Sequence, residues 1–274
     1  MDDTWDNGSL TNLPIGLSFP KAVWTGTHML IWSGIGLKYD PLIDTWTPMS
    51  VVNSPSPRAR SAAVWTGSVM IVWGGDRSGV FLSTGGRYDP VLDTWTATTV
   101  VDAPAGRTNH TAIWTGREMI VWGGYGNPGA FLNSGGRYDP ASDSWTPTSS
   151  TALSAEARTN HSAVWTGREM IVWGGEGLYG FTAGRRYDPA TDSWRPMSDA
   201  GAPQARSSHG AVWTGREMIV WGGLGRFDPA LADGGRYDPA TDSWTPMTNV
   251  GAPDPRLEHP AIWTGSLMIV WGGN

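Results

Sequence analysis

The chain has 274 residues, a net charge of −6 and no cysteine. The missing cysteine excludes disulfides, cysteine-ligated zinc and thiol catalysis, and without a basic run the chain lacks the electrostatic footing for nucleic-acid binding. Tryptophan is the unusual residue, with 18 copies against 5 phenylalanines. A tryptophan position that recurs at a fixed interval would explain this count, so the chain is first tested for repeats.

Four short motifs recur in one order along the chain. The first reads (Val/Ile)-Trp-Thr-Gly, and the second is Trp-Gly-Gly, or Trp-Ser-Gly in its first copy. The third is (Arg/Lys)-Tyr-Asp-Pro and the fourth Asp-(Thr/Ser)-Trp. The tryptophans of the first motif stand at positions 24, 65, 114, 165, 213 and 263. Six units with three tryptophans each account for every tryptophan of the chain.

Each unit predicts four short strands, here called A to D. In one unit, strand A is Thr111–Trp114 and strand B is Met119–Trp122, with a Thr-Gly turn between them. Strand C carries Arg137–Asp139, the Pro140–Asp143 segment has the residues of a turn, and strand D carries Ser144–Thr146. No stretch has an apolar period of 3.6 residues long enough for a helix.

Six four-stranded units predict a β-propeller, in which each unit is one blade. Strand A should lie nearest the axis, because alanine stands two residues before every strand-A tryptophan and is small enough for crowded strands. The tryptophans are expected to pack between blades. A β-sandwich is the competing all-β fold, but it predicts no such strict period.

The chain resembles the kelch-repeat propellers. Their pattern is a hydrophobic run, a diglycine, and then a tyrosine and a tryptophan with six residues between them. Tyr88 and Trp95 keep that interval after Gly74-Gly75, whereas the first unit departs from the pattern with Ser33 in its diglycine. The resemblance implies a six-bladed, all-β kelch propeller with four antiparallel strands per blade, covering residues 1–274 as one domain.

The two ends of the chain predict how the ring closes. Asp3-Thr4-Trp5 is a copy of the fourth motif, and the chain ends after strands A and B of the last unit. We expect the last blade to be shared between residues 1–10 and 256–274, closed by the N-terminal strand and lacking strand C. Truncation is the favoured explanation. The alternatives are a three-stranded blade or a strand from another molecule, which would cause self-association.

Binding is expected on one face of the propeller. The D–A and B–C connections share a face and vary in length, whereas the A–B and C–D turns on the other face are short and uniform. Four D–A segments end in Arg-x-x-His, which should ring the channel mouth on the variable face. The candidate ligand-binding residues there are Arg58, Arg107, Arg158, Arg206, Arg256, His110, His161, His209, His259 and Glu258.

These residues have two interpretations. An arginine ring suits an anionic ligand such as a carboxylate or an acidic sugar, but repeated residues also do repeated structural work, with arginines bracing loops and histidines joining blades. Four histidines spread around a channel lie too far apart for one ion, so no metal site is expected. Aromatic residues in the variable loops are further candidates, either as ligand contacts or as packing between loops: Phe81, Tyr125, Phe131, Tyr179, Phe181 and Phe227.

Two functions follow from these patterns. The favoured one is a non-catalytic binding module for a protein or glycan ligand, with no catalytic residue and no cofactor, because no unit carries an unmatched polar cluster. The alternative is a carbohydrate-active enzyme or lectin-like protein, similar to the sialic-acid mutarotases among kelch relatives, with Glu258 as its leading acid. The copper radical oxidases of the same family need a cysteine, which this chain lacks.

Composition and termini give weaker expectations about origin. The start of the chain has no basic segment followed by an apolar one, as a signal peptide would, and no apolar run is long enough to span a membrane. A soluble protein of the bacterial cytoplasm or exterior is expected. The preference for arginine over lysine and the content of Ala, Gly and Asp indicate a bacterial source or an engineered repeat.

Overall fold

The structure is a computed structural model, and it describes residues 19–127, 129–150, 155–178, 180–181, 183–226 and 230–274. All regular structure in these residues is β-strand. None of the described residues forms a helix long and apolar enough to cross a membrane.

Among the described residues, five four-stranded antiparallel sheets follow one another along the chain, each with its strands in the order A-B-C-D. Sheet 1 contains β1 (Lys21–Trp24), β2 (Met29–Trp32), β3 (Gly36–Asp40) and β4 (Thr45–Pro48). Sheet 2 spans β5 (Ala62–Trp65), β6 (Met70–Trp73), a short hairpin of β7 (Asp76–Arg77) and β8 (Val80–Phe81), then β9 (Gly85–Asp89) and β10 (Thr94–Ala97).

The next two units repeat this plan. Around sheet 3 the strands are β11 (Arg107–Thr108), β12 (Thr111–Trp114), β13 (Met119–Trp122), β14 (Tyr125–Gly126), β15 (Ala130–Phe131), β16 (Gly135–Asp139) and β17 (Ser144–Pro147). Around sheet 4 they are β18 (Ser162–Trp165), β19 (Met170–Trp173), β20 (Glu176–Gly177), β21 (Gly180–Phe181), β22 (Arg185–Asp188) and β23 (Ser193–Pro196).

The last two units differ in completeness. The strands around sheet 5 are β24 (Arg206–Ser207), β25 (Gly210–Trp213), β26 (Met218–Trp221), β27 (Leu224–Gly225), β28 (Gly234–Asp238) and β29 (Ser243–Pro246). Sheet 6 is formed by two described strands, β30 (Ala261–Trp263) and β31 (Met268–Val270).

The hydrophobic core lies between consecutive sheets. Alternate residues of a strand point to opposite faces, so β6 sends Ile71 and Trp73 toward sheet 3, where they pack against Met119 and Val121. All four side chains are completely buried. The same packing joins sheets 1 and 2, sheets 3 and 4, and sheets 4 and 5. Each such side chain contributes roughly 1.5–3 kcal/mol by leaving water, which explains why strand B is apolar at every position.

Strand A of each sheet lines a central cavity of about 500 Å³. Ala63, Ala112, Ala163, Ala211 and Ala261 are among the residues around it, and each inner strand lies beside the inner strand of the next sheet from β1 through β30. The small alanine side chain permits this close approach, as the sequence predicted.

The predicted all-β fold of four-stranded antiparallel sheets is confirmed, with strands A to D in the expected places. The number of blades and the closure of the ring stay predictions, and residues 1–10 of the expected closing strand lie outside the described residues. The tryptophans do not all form core. Those of strand A border the central cavity and are only partly buried, and Trp24 is 54% exposed.

Candidate functional site

Four of the five arginines that precede strand A are buried and hold the B–C connections in place. Arg107 is completely buried, and its Nη1 donates to the carbonyl oxygens of Gly123 (3.0 Å) and Ser134 (2.6 Å), at the two ends of one connection. Its Nε donates to the carbonyl of Ala105 at 3.0 Å. One guanidinium therefore holds both ends of the β14–β15 hairpin and the chain that leads into strand A.

The same bracing recurs around the molecule. Arg58, Arg158 and Arg206 each donate from Nη1 to two carbonyl oxygens of their own sheet. One belongs to the first glycine of the diglycine after strand B, and the other to a residue one or two positions before strand C. Arg256 donates to the Gly272 carbonyl at 3.1 Å. Burial lowers the pKa of Arg107 and Arg158 to about 10, so both stay charged at neutral pH and are stabilised by carbonyl dipoles.

The histidines join one sheet to the sheet before it. His110, at the start of strand A in sheet 3, meets the Trp73 ring of sheet 2 edge to face, with ring centroids 5.4 Å apart. A Cβ on Gly74 would lie 2.5 Å from His110 Cε1, and Gly74 has a φ of +71°. Glycine is therefore required there both by the backbone and by the imidazole above it. His161, His209 and His259 repeat the arrangement on Trp122, Trp173 and Trp221.

Burial keeps these imidazoles neutral. It lowers the pKa of His110 and of His209 to about 3, and it also lowers the pKa of His161 and His259. Two of the rings bond to the preceding sheet, His161 Nε2 with Thr111 Oγ1 at 2.8 Å and His209 Nε2 with Ser162 Oγ at 2.7 Å. Among the described residues, no three His, Asp or Glu side chains are placed to share a metal ion.

These contacts favour the bracing interpretation of the arginines and the blade-joining interpretation of the histidines. Arg58, Arg107, Arg158, Arg206 and the four histidines are all at least nine-tenths buried, so a ligand at the channel mouth would not reach their polar atoms. A ligand role for them stays a prediction without support from the geometry. Glu258 differs, because its side chain is exposed.

The residue just before each histidine position lies at the start of strand A, at the same end as the B–C connections. We call Arg60, Asn109, Asn160, Ser208 and Glu258 the mouth ring. All five have a left-handed backbone, with φ between 51° and 57°, and backbone hydrogen bonds join the last four in order. Asn160 N donates to Asn109 O (3.4 Å), Ser208 N to Asn160 O (3.0 Å) and Glu258 N to Ser208 O (2.9 Å).

Side chains of the B–C connections complete the mouth. Asp76 accepts two hydrogen bonds from Arg60 at 2.9 Å and one from Thr108 Oγ1 at 2.9 Å, and the bond from Arg60 is the main cause that lowers the pKa of Asp76. Asn160 Nδ2 donates to Glu176 Oε1 at 3.0 Å. A recess of about 280 Å³ between sheets 1 and 2 opens beside Asp76. The mouth therefore presents polar groups of several kinds, which are not the same in every sheet.

Three of the six loop aromatics form one cluster. Tyr125 lies between Phe81 and Phe131, with ring centroids 5.8 Å and 5.5 Å apart, and both contacts are edge to face. The three side chains are partly buried, so they pack between loops and keep a solvent-exposed edge. Phe181 lies in β21, opposite Glu176. Tyr179 and Phe227 lie outside the described residues.

Sequence reasoning identified the motif and named its Arg and His residues and Glu258, but it did not name the other four residues of the mouth ring. The repeated Arg and His attract attention by repetition, whereas the mouth ring varies from Arg to Asn, Ser and Glu. The usable signal was this variation beside repeated Arg and His positions. The short hairpins within the B–C connections were also missed, because two-residue strands beside glycine carry no alternating pattern.

The comparisons with known proteins agree with this architecture. No curated protein matches the chain. The family model for the KLHDC2/KLHL20/DRC7 Kelch-repeats domain matches residues 87–273, which is more than half of the sequence. The chain belongs to the kelch-repeat family.

Proposed function

We propose that the protein is a non-catalytic interaction module that binds a segment of another protein across the mouth ring. Its membership of the kelch family supports a protein-interaction propeller. The observation that carries the choice of surface is the contrast at the mouth. Buried, repeated Arg and His side chains hold the backbone there, while the residue between them is partly or fully exposed and varies among Arg, Asn, Ser and Glu.

The chemistry of the mouth suits a peptide segment. Asn109, Asn160 and Ser208 offer amide and hydroxyl groups that donate and accept hydrogen bonds, as a peptide backbone requires. The Arg60–Asp76 ion pair and the exposed Glu258 carboxylate add charged groups at different points of the ring. Beside them the Phe81–Tyr125–Phe131 cluster supplies an apolar contact, and aromatic residues are enriched where proteins bind each other.

The proposal is tested with peptide and glycan arrays, followed by calorimetry on the tightest ligand. The mouth variant carries Asn109→Gly and Ser208→Gly, because glycine keeps the left-handed backbone without strain. We expect it to lose affinity about tenfold or more, since each lost hydrogen bond contributes about 1 kcal/mol. The control carries Arg117→Ser and Arg168→Ser on the opposite face, where those side chains are 80% and 79% exposed.

Two results would overturn this assignment. One is a peptide that binds the mouth variant and the wild-type protein equally. The other is binding on the glycan array with none on the peptide array, which would favour the lectin-like alternative. The enzymatic form of that alternative stays a prediction centred on Glu258, and the geometry adds only that its carboxylate is exposed in the mouth ring.

A further inference from the structure

The A–B turn of sheet 2 departs from the sequence that three other sheets share. Sheets 3, 4 and 5 carry Arg and Glu after the Thr-Gly pair, as Arg117 and Glu118 do in sheet 3. Sheet 2 carries Ser68 and Val69 at the same two positions. Both side chains are therefore shorter in sheet 2, and neither is charged.

The arginine of the repeated pair has a regular partner, the aspartate that ends strand C of its own sheet. Arg117 Nη2 lies 3.5 Å from Asp139 Oδ2. Sheet 1 uses a histidine instead, and His28 Nε2 lies 3.4 Å from Asp40 Oδ2. The pairs of sheets 4 and 5 are Arg168 with Asp188 and Arg216 with Asp238. Four of the five four-stranded sheets therefore give this carboxylate a basic side chain as partner.

Asp89, the equivalent aspartate of sheet 2, lacks such a partner. Its Oδ1 accepts hydrogen bonds from the backbone N–H groups of Val91 and Leu92 at 2.8 Å and 3.1 Å. Among the described residues, no arginine, lysine or histidine forms an ion pair with its carboxylate, because Ser68 stands where sheet 3 has Arg117. The second oxygen of Asp89 is therefore left for a cation from outside the chain.

The glutamate of the repeated pair has a basic neighbour in strand C of its own sheet. Glu118 Oε2 lies 4.0 Å from Arg137 Nη1. The equivalent arginine of sheet 2 is Arg87, which binds only groups of sheet 3: its Nη1 donates to the Pro140 carbonyl at 2.7 Å, and its Nη2 lies 4.0 Å from Asp143 Oδ1. Because sheet 2 has valine at the glutamate position, this guanidinium lacks the carboxylate that Arg137 has.

Two clefts lie beside these residues on the turn face, the face that carries the A–B and C–D turns. One cleft, of about 440 Å³ between sheets 2 and 3, is lined by Ser68, Arg87, Asp89 and Trp114 among others. The other, of about 420 Å³ between sheets 1 and 2, shares Ser68 and Asp89 with the first. Asp89 therefore borders both clefts.

Exposed apolar side chains accompany the clefts. Val91 lines one cleft and Leu92 the other, and they are 88% and 69% exposed. The C–D turn of sheet 1 likewise exposes Leu42 and Ile43, whereas sheets 3, 4 and 5 have alanine followed by serine or threonine at these positions. Grouped apolar side chains beside polar groups are typical of a surface that contacts another protein.

We propose that the turn face of sheets 1 to 3 is a second docking surface, which takes an arginine and a nearby carboxylate side chain from a partner protein. The partner's guanidinium pairs with Asp89, as Arg117 pairs with Asp139 in sheet 3, and its carboxylate pairs with Arg87. Asp89 and Arg87 are two residues apart in one strand, so they stand on the same face about 7 Å apart. An extended segment with the sequence Arg-x-Glu has the same spacing, and apolar residues beside it pack on Val91.

Trp114 gives the cleft between sheets 2 and 3 a further contact for the guanidinium. It is partly buried and lines both this cleft and the central cavity. The face of an indole ring attracts an arginine side chain, and a ligand in the cleft changes the surroundings of the ring. The Trp114 indole N–H therefore also reports binding.

The test is an NMR titration of the full chain with the blocked peptide acetyl-Leu-Arg-Ala-Glu-Leu-amide, followed at the Trp114 indole N–H, which Trp114→Phe assigns. In the wild-type protein the peptide should shift this signal. Ser68→Arg with Val69→Glu rebuilds the sheet 3 sequence, so the new side chains occupy the cleft and affinity should fall about tenfold or more. Because three sheets already carry this pair, the variant should unfold at the wild-type urea concentration.

Two further variants complete the design. Ser266→Arg with Leu267→Glu is the matched control, because it makes the same change in the A–B turn of sheet 6, which lines neither cleft. It should leave the affinity as in the wild type. Arg117→Ser with Glu118→Val gives sheet 3 the residues of sheet 2, and it should add a second site that shifts the signal of Trp165, the equivalent of Trp114 in sheet 4.

The proposal is wrong if the peptide leaves the Trp114 signal unchanged, if the Ser68→Arg, Val69→Glu variant binds like the wild type, or if acetyl-Leu-Gln-Ala-Gln-Leu-amide binds equally well. Free arginine that binds as tightly as the peptide would make the cleft a site for a small solute instead. The mouth variant should bind this peptide like the wild type, so the two surfaces are tested separately. A loss of binding in the mouth variant would place the peptide at the mouth ring.

Discussion

At the scale of single residues, the junction between sheets rests on an imidazole that is enclosed by its neighbours. His161 packs on Trp122 and on the first glycine of the Gly123-Gly124 pair, where a Cβ would lie 2.6 Å from its Cε1. Its Nε2 bonds Thr111 across the junction. An enclosed neutral ring of this kind makes folding sensitive to protonation, because the charged form would lose its hydration without gaining an anionic partner.

The pH dependence of stability should report these rings. The folded pKa of His110 and His209 lies near 3, below the value near 6.5 of an unfolded chain. The unfolded state therefore binds protons first as the pH falls through 6.5, and stability present above that pH is lost. Between pH 6.5 and 5, each of these two histidines should lower the free energy of unfolding by about 2 kcal/mol. Urea unfolding at several pH values measures this loss. His110→Gln should make the free energy of unfolding depend less steeply on pH. An equal slope in the wild-type protein and the variant would show that His110 is not a source of the pH dependence.

The sequence alone located these residues and left two roles open for them, ligand binding and structural bracing. The 19-residue interval from Trp95 to Trp114 was enough to place strands D and A, and the Tyr-Asp-Pro segment fixed strand C. Whether His110 faces a channel or a neighbouring tryptophan depends on how two sheets meet, and this is set by packing between residues distant in sequence. The other residues of the mouth ring, unlike Glu258, escaped prediction for the same reason.

At the scale of the elements, each B–C connection is tied to the D–A connection of its own sheet. β14 pairs with β11 in the register Arg107 to Gly126 and Thr108 to Tyr125, and the Arg107 guanidinium holds the carbonyls on both sides of the hairpin. The residues at the far end of such a loop can differ in number and type while the hydrogen bonds at its two ends stay the same. This explains how connections of different length and sequence are carried on one repeated scaffold.

Replacing the brace tests this interpretation. Arg107→Lys keeps the charge, but a single ammonium cannot reproduce the fixed fork of a guanidinium, so at least one buried carbonyl loses its donor. We expect a loss of about 2–4 kcal/mol in unfolding free energy, together with faster amide exchange in β14 and β15. Arg117→Lys, whose side chain is 80% exposed, should change stability by less than about 0.5 kcal/mol. Equal effects of the two substitutions would rule out the brace.

At the scale of the whole molecule, repetition and variation are separated in space. Repeated Trp, Tyr, Arg and His side chains fill the spaces between sheets and hold the connections, while the non-repeated polar residues collect at one end of the central cavity. The opposite end carries the Thr-Gly and Asp-Pro turns, which are nearly identical from unit to unit. We therefore expect a specific partner to contact the mouth-ring end of the cavity, where the residues differ between units.

The most direct test is a hydrogen–deuterium exchange footprint of the protein with the tightest peptide from the array. Binding at the mouth ring predicts slower amide exchange at residues 59–61, 108–110 and 159–161 and in the hairpins β7–β8 and β14–β15, with the turns at residues 115–118 and 140–143 unchanged. Slower exchange confined to those turns, or spread evenly around the outer strands, would contradict the account.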